Sequence, residues 1–365
     1  MNFKKIGFIG LGLIGGSIAL KLKELYPTAN IIATSHGQST ISNAYKMGII
    51  SNQKKLDIKD FSDCDFIYLC APVENNIEYL SQLKEVISPN CIITDVGSTK
   101  TKIHKRVQEL GLEANFIGGH PMTGSEKTGI AYANPIFLEN AYYIITPTEQ
   151  TKKEQLDDYI QMVSSFGSIP LVLDYIQHDR ATAAISHLPH MIAFSLTNFI
   201  ASIDDSNETM KTIAAGSFRD MTRVAASSPA MWESIAATNK EQISILMDEY
   251  ISMFQDLKEH IQNYDKDHLL HFFEEAKNYR DSLNLPGKQV KRLVHEIYLD
   301  LNDEAGGIAT IATIMAFKNI NIKNIGIINN REFEEGVLRI EFYEEHAKEK
   351  ALKLLKERNY VIHER

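Results

Sequence analysis

From Lys5 onward, short apolar runs alternate with longer stretches whose apolar residues recur every three or four positions. The runs are "KIGFIG", "NIIATS", "DFIYLCAP", "CIITDVGS", "NFIGGH" and "AYYIITP", rich in β-branched and aromatic residues. Such alternation predicts a parallel sheet wrapped by helices. After about Tyr175 the strand pattern stops. "ATAAISHLPHMIAFSLTNFIASI" and "WESIAATNKEQISILMDEYISMFQDLKEHI" keep a helical period throughout and predict an all-helical second domain. The polar stretch "NYRDSLNLPGKQV", with its Pro and Gly, reads as a linker. Beyond it the pattern runs strand, helix, strand, strand, helix, strand. That βαββαβ order predicts a ferredoxin-like module.

Composition narrows the class. A chain of 365 residues is too long for one ordinary core, and 44% hydrophobic with 23% charged residues is the balance of a globular protein. A formal net charge of -9, with no extended basic stretch, argues against nucleic acid as a partner, and no segment reads as a membrane anchor. Cys64, Cys70 and Cys91 are odd in number and lack metal-ligand spacing, and two sit in apolar runs; they predict buried thiols in a reducing cytoplasm and no metal. The apolar start "MNFKKIGFIGLGLIGGSIAL" reads as a strand, turn and helix and not as a secretion signal, because its glycines fall at motif spacing and no small-residue cleavage site follows.

That spacing is G-x-G-x-x-G at Gly10, Gly12 and Gly15, between a predicted strand and helix. Gly10 permits the tight turn, Gly12 lets the backbone approach a pyrophosphate, and Gly15 allows close helix packing. The amides of Leu13 and Ile14 open the helix toward the anion. This predicts a Rossmann-type dinucleotide site, extended by Ser35 and by Pro72 at the ends of the second and third strands. Where an acid for the ribose hydroxyls of NAD is expected, the chain reads Ser35-His36, with no arginine nearby for a 2′-phosphate. On these residues the choice between NAD and NADP stays open.

Four segments offer chemistry for the crevice at the strand ends. "CIITDVGSTKTKIHKRV" supplies Ser98 and Thr99, "FIGGHPMTGSEKTG" supplies His120 and Glu126, "ISHLPHMIAF" supplies His187 and His190, and "GSFRDMTRVAASSPAMWESI" supplies Arg219, Asp220, Arg223 and Trp232. Each has a structural reading beside the functional one: Ser98 as a helix cap, the two histidines as core residues, Arg223 as half of an ion pair, Trp232 as packing.

Together with "GLGLIGGS" and "DVGSTK", these motifs resemble prephenate dehydrogenase, in order over residues 5 to about 280, and "DLNDEAGGIATI" resembles the opening of an amino-acid-sensing ACT domain. The resemblance implies oxidation of prephenate by NAD with loss of carbon dioxide, giving 4-hydroxyphenylpyruvate. It implies His120 as general base, Ser98 bonded to His120 or to the substrate hydroxyl, and Arg223 as a carboxylate clamp. His190 and His187 line the pocket, Glu126 stands at its mouth, and Gly216 lies nearby. L-Tyrosine is the expected effector, at Asp303, Ala305, Gly306 and Gly307. The expected domains are 1–172 (dinucleotide-binding), 173–282 (helical, substrate and dimerisation), a linker at 283–289, and 290–365 (ACT-like), in a homodimer. Arogenate as an alternative or second substrate stays open, as does a non-catalytic regulator built on the same fold.

Overall fold

The structure, a computed structural model, describes residues 3–124, 127–283, 295–300, 306–328, 337–358 and 360–363. The chain divides into two compact units, Met1–Glu259 and His260–Arg365.

In the first unit β1 (Lys5–Ile9), α1 (Leu13–Leu25), β2 (Asn30–Thr34), α2 (Gln38–Lys46), β3 (Phe66–Leu69), α3 (Val73–Lys84), β4 (Ile92–Asp95) and α4 (Thr101–Leu110) follow in order. The four strands pair in parallel as β2-β1-β3-β4. Connections leave β1 and β3 in opposite directions, so a crevice opens at the carboxyl ends of these two strands. Their side chains are buried on both faces, as continuous apolar runs require. One apolar layer gathers Phe8, Ile18, Leu22, Tyr68 and Tyr159; the other gathers Ile9, Leu69, Leu80, Ile93, Ile103 and Phe116.

A three-stranded sheet of β5 (Ile117–Pro121), β6 (Tyr142–Pro147) and β7 (Ile169–Val172) adjoins β4 through a parallel bridge between Ile93 and Phe116. The all-parallel expectation stops here, because β6 runs antiparallel to β5. A parallel return needs a crossover element. Among its described residues the segment between them instead holds short 3-10 turns, Ile130–Tyr132 and Pro135–Leu138, packed on α1, and the chain comes back reversed. From β6 the helix α5 (Lys153–Ser165) does cross over, and β7 is parallel to β6. Being short, partly exposed and carrying Pro170, β7 has the character of an edge strand and escapes prediction.

Helices complete this unit: α6 (Tyr175–Thr182), a π-helical turn (Ala183–His187), α7 (Leu188–Ile203), α8 (Thr209–Ile213), α9 (Gly216–Thr222), a 3-10 turn (Arg223–Ala226), α10 (Pro229–Thr238) and α11 (Lys240–Gln262), whose last turn lies in the second unit. The long helical stretch expected from Trp232 onward is broken at Asn239, which departs from helical geometry. The side chain of Asn239 explains the break, as described below.

The second unit contains α12 (Lys266–Ser282), β8 (His295–Asp300), α13 (Gly307–Ala316), β9 (Ile322–Ile328), β10 (Val337–Phe342), α14 (Glu345–Lys356) and β11 (Ile362–His363). The strands form an antiparallel sheet in the order β11-β8-β10-β9. Burial alternates along β8 and β10, and their inward residues pack on Ile311, Met315 and Leu355. The βαββαβ order is as expected from the sequence. No helix among the described residues is long and apolar enough to cross a membrane.

Candidate active site

β1 delivers the chain into Gly10, which has a φ of 87° and sits so close to the end of β3 that a Cβ would lie 2.6 Å from the Ala71 amide nitrogen. A Cβ on Gly15 would press on Cys70, at 2.9 Å. At Gly12 the opposite holds: a Cβ there meets nothing within 4 Å. The turn is therefore tight inside and open outside. α1 starts at Leu13 with no acid in its first turn and no side-chain cap, leaving the amides of Leu13 and Ile14 for an outside acceptor. These residues fit a pyrophosphate. Beyond β2, Ser35 is partly buried and His36 exposed, and the His36 carbonyl accepts from Lys55 Nζ at 2.8 Å. That lysine is a cation which sequence spacing alone does not place.

Beside the turn lies a cleft of about 330 Å³ lined by Ala71, Pro72, Val73, Gly97 and Ser98 from the sheet ends and by residues of α10 opposite. Pro72 and Ser98, predicted separately, thus share one cavity. Ser234 Oγ donates to Glu74 Oε2 at 3.2 Å, tying α10 to α3.

His120 ends the series of strand-end residues on β5. Its Nδ1 lies 2.8 Å from His178 Nε2 on α6, and His178 Nδ1 lies 2.8 Å from Asp179 Oδ1. Asp179 also accepts the amides of Lys100 and Thr101, both at 2.7 Å. It thereby caps α4 from a distance, the role that Ser98 was open to. Burial pushes the His120 imidazole well below the ordinary range, with lesser contributions from His178, Lys100 and His187. Burial likewise lowers His178 against the opposing pull of Asp179, and the bonds from His178 and Thr101 lower the Asp179 carboxyl despite its burial. His178 is thus a hydrogen-bond partner of His120 that the resemblance did not name.

Below this chain the fully buried Lys100 and Asp95 form an ion pair, and Asp95 accepts the amides of Gly97 at 2.9 Å and Gly119 at 3.3 Å. The glycines before His120 are packing residues. A Cβ on Gly118 would lie 2.2 Å from Thr146 Oγ1, and one on Gly119 would lie 2.8 Å from both the Asp95 carbonyl and the Tyr159 hydroxyl. His104, stacked on Tyr175 and bonded to Thr146, is held neutral by burial, its pKa lowered to about 3.

On the helical side, His190 stacks on Trp232, with ring centroids 3.9 Å apart, and its Nδ1 donates to the Ser186 carbonyl at 2.8 Å. His187 is buried, and burial lowers its pKa to about 4. Asn239 Nδ2 donates to the Asp179 carbonyl at 2.9 Å and lies 3.2 Å from His187 Nδ1, so the helix break serves to tie α6 to this histidine. The Trp232 indole nitrogen is buried and, among the described residues, without a hydrogen-bond partner. Arg223 is exposed and heads a turn packed on α7, and Gly216 opens α9, which packs on the same helix. Glu126, Asp303 and Ala305 lie outside the described residues. Gly306 has a φ of 92° and caps α13, which opens with the buried Gly307.

His178, Asp179, Asn239 and Lys100 escape sequence reading. The signal for the first two is the buried face of α6, which is polar where a packed helix face is ordinarily apolar: His178, Asp179 and Thr182.

Residues 18–169 match the prephenate dehydrogenase nucleotide-binding domain, and residues 175–275 match the prephenate dehydrogenase dimerization domain. The prephenate dehydrogenase of Bacillus subtilis is 36% identical over 94% of this chain and 93% of its own length; that of Lactococcus lactis is 32% identical over 93% and 94%. The chain belongs to the prephenate dehydrogenase family. Among solved structures, Aquifex aeolicus prephenate dehydrogenase in complex with hydroxyphenyl propionate and NAD+ aligns with a TM-score of 0.72 at 29% identity, covering 78% of this chain and 99% of that one. Synechocystis arogenate dehydrogenase aligns with a TM-score of 0.68 at 31% identity, covering 76% and 99%. The family's two domains meet in the first unit between Ile169 and Tyr175, so that His120 comes from one matched stretch and His178 from the other.

Proposed function

We propose that this chain oxidises prephenate with NAD, releasing carbon dioxide and 4-hydroxyphenylpyruvate. The observation that carries the reading is a partly buried, neutral histidine at the carboxyl end of a strand, in a prephenate dehydrogenase whose first domain carries an open glycine turn. NAD, when bound, supplies the hydride acceptor. Gly10, Gly12, Leu13, Ile14 and Gly15 hold its pyrophosphate, with Ser35 and Pro72 alongside. His120 takes the ring hydroxyl proton as hydride leaves the carbinol carbon, and the electrons of the breaking C–CO2 bond flow into the ring, which becomes aromatic. A base that is neutral at physiological pH is what this step requires.

Ser98 orients the reacting hydroxyl from its place in the cleft. Arg223 binds a substrate carboxylate, as a planar guanidinium does best, and His190, with His187 behind it, lines the helical wall near Gly216. Glu126 completes the rim. In this reading residues 1–172 bind dinucleotide, 173–282 bind substrate and dimerise, 283–289 link, and 290–365 form an ACT-like module that senses L-tyrosine near Asp303, Ala305, Gly306 and Gly307. The three cysteines are free, in keeping with a cytoplasmic protein.

NADH formation tests the activity: prephenate and NAD should give one 4-hydroxyphenylpyruvate per NADH, and no turnover would overturn it. The likeness to an arogenate dehydrogenase makes kcat/KM on arogenate the companion measurement, with prephenate expected to be the better substrate. Tyrosine should inhibit without competing with prephenate; purely competitive inhibition would put it at the active site instead.

A further inference from the structure

An imidazole can act as a base only through the nitrogen that lacks a proton, and the hydrogen bond at the other nitrogen decides which one that is. In this chain the decision is made two residues away from the reaction. An ionised carboxylate can only accept, so the bond at 2.8 Å places a proton on His178 Nδ1. Asp179 is held ionised by the Lys100 and Thr101 amides and cannot turn to donate. A neutral His178 then offers the lone pair of Nε2, and the 2.8 Å bond to His120 is donated by His120 Nδ1. The basic nitrogen of His120 is left as Nε2.

We infer that His178 and Asp179 are positioning residues that fix the tautomer of His120 and share the proton it takes up. The inference rests on the reading of His120 as the base. As the substrate hydroxyl proton bonds to His120 Nε2, the imidazolium leans its Nδ1 proton toward His178 Nε2, and the positive charge spreads onto a ring already paired with Asp179. No electrons move in this transfer, and the proton returns to solvent through His120 Nε2 once product has left. The assembly is rigid for evident reasons: His178 and Asp179 are fully buried, the Thr182 hydroxyl bonds the His178 carbonyl, and Asn239 bonds the Asp179 carbonyl. Other titratable and charged groups that bear on it are Lys100 and Asp95 from the β4–α4 corner and His187 from the π-helical turn.

The test compares His178→Gln, His178→Leu and Asp179→Asn with wild type in the full chain, with His120→Asn in parallel. Glutamine can still accept from His120 Nδ1, whereas leucine cannot. His178→Leu should therefore lose about 10²-fold or more in kcat, His178→Gln should recover part of that loss, and KM for prephenate and affinity for NAD should stay within a few-fold. Asp179→Asn removes the anion, but its amide oxygen, turned toward the two donors that share Oδ1, still accepts from His178 Nδ1. Its kcat should fall less than that of His178→Leu, and the acid limb of kcat/KM should move to lower pH. Should His178→Leu fail to fold, the Asp179→Asn profile and the His178→Gln kcat decide. Wild-type kcat with an unmoved acid limb, or a loss confined to KM, would overturn the relay. If those outcomes come with an inactive His120→Asn, only the relay falls; an active His120→Asn removes the base and the relay with it.

Discussion

A methyl group added at Gly119 would stand 2.8 Å from the Asp95 carbonyl oxygen and the Tyr159 hydroxyl, whereas one added at Gly12 meets nothing within 4 Å. Two glycines of similar appearance in the sequence thus have opposite jobs. Gly119→Ala should destabilise the protein by about 1–3 kcal/mol, since overpacking a rigid interior forces its neighbours aside, and denaturant unfolding would detect it. Gly12→Ala should leave stability within about 0.5 kcal/mol and weaken NAD binding in a fluorescence titration. The sequence motif located both residues, yet only packing distinguishes clearance for a ligand from clearance for a neighbouring strand. The same limit explains why His120 was legible and His178 was not. His120 sits in a glycine-rich strand end that announces itself, while His178 and Asp179 lie within a helix whose polar buried face gives no apolar period.

At the scale of elements, β4, α4, β5 and α6 are joined by charge as well as by apolar contact. Asp95 binds the amides of Gly97 and Gly119 and pairs with Lys100; Asp179 caps α4. Both members of the ion pair are fully buried. Lys100→Met would leave the Asp95 carboxylate without its partner, and loss of about 3–5 kcal/mol is expected from thermal or denaturant unfolding. The double variant Lys100→Met with Asp95→Asn should recover part of this, because it removes the stranded charge. Sequence reading correctly placed the glycine turn, β1 to β6 and the βαββαβ order. It erred on the direction of β6 and missed β7, because strand sense depends on what the connection packs against. It also missed the break at Asn239, whose cause is a hydrogen bond to a residue far away in sequence.

Over the whole molecule, four histidines lie neutral in or beside the site: burial lowers His104 to about 3 and His187 to about 4, and holds His120 and His178 low. Each binds a proton more readily in the unfolded chain, at an ordinary value near 6.5, than in the folded one. Stability from these groups is therefore fully present above that value and lost as pH falls toward about 4. The melting temperature should decline over this window. A curve flat down to pH ~4 would argue that the imidazoles are not buried as neutral groups. The apolar helix α7 buries only Ala193 within the chain, and Phe199, Ile203, Ile251 and Phe254 are exposed. A matched dimerization domain and these uncovered side chains lead us to expect a homodimer mass by light scattering. The central claim is that prephenate oxidation proceeds through His120, and the most direct measurement is NADH formation from prephenate by wild type and by His120→Asn. Wild type should turn over, and the variant should bind NAD with unchanged affinity while losing about 10²–10⁴-fold in kcat; turnover by His120→Asn within a few-fold of wild type would contradict the account.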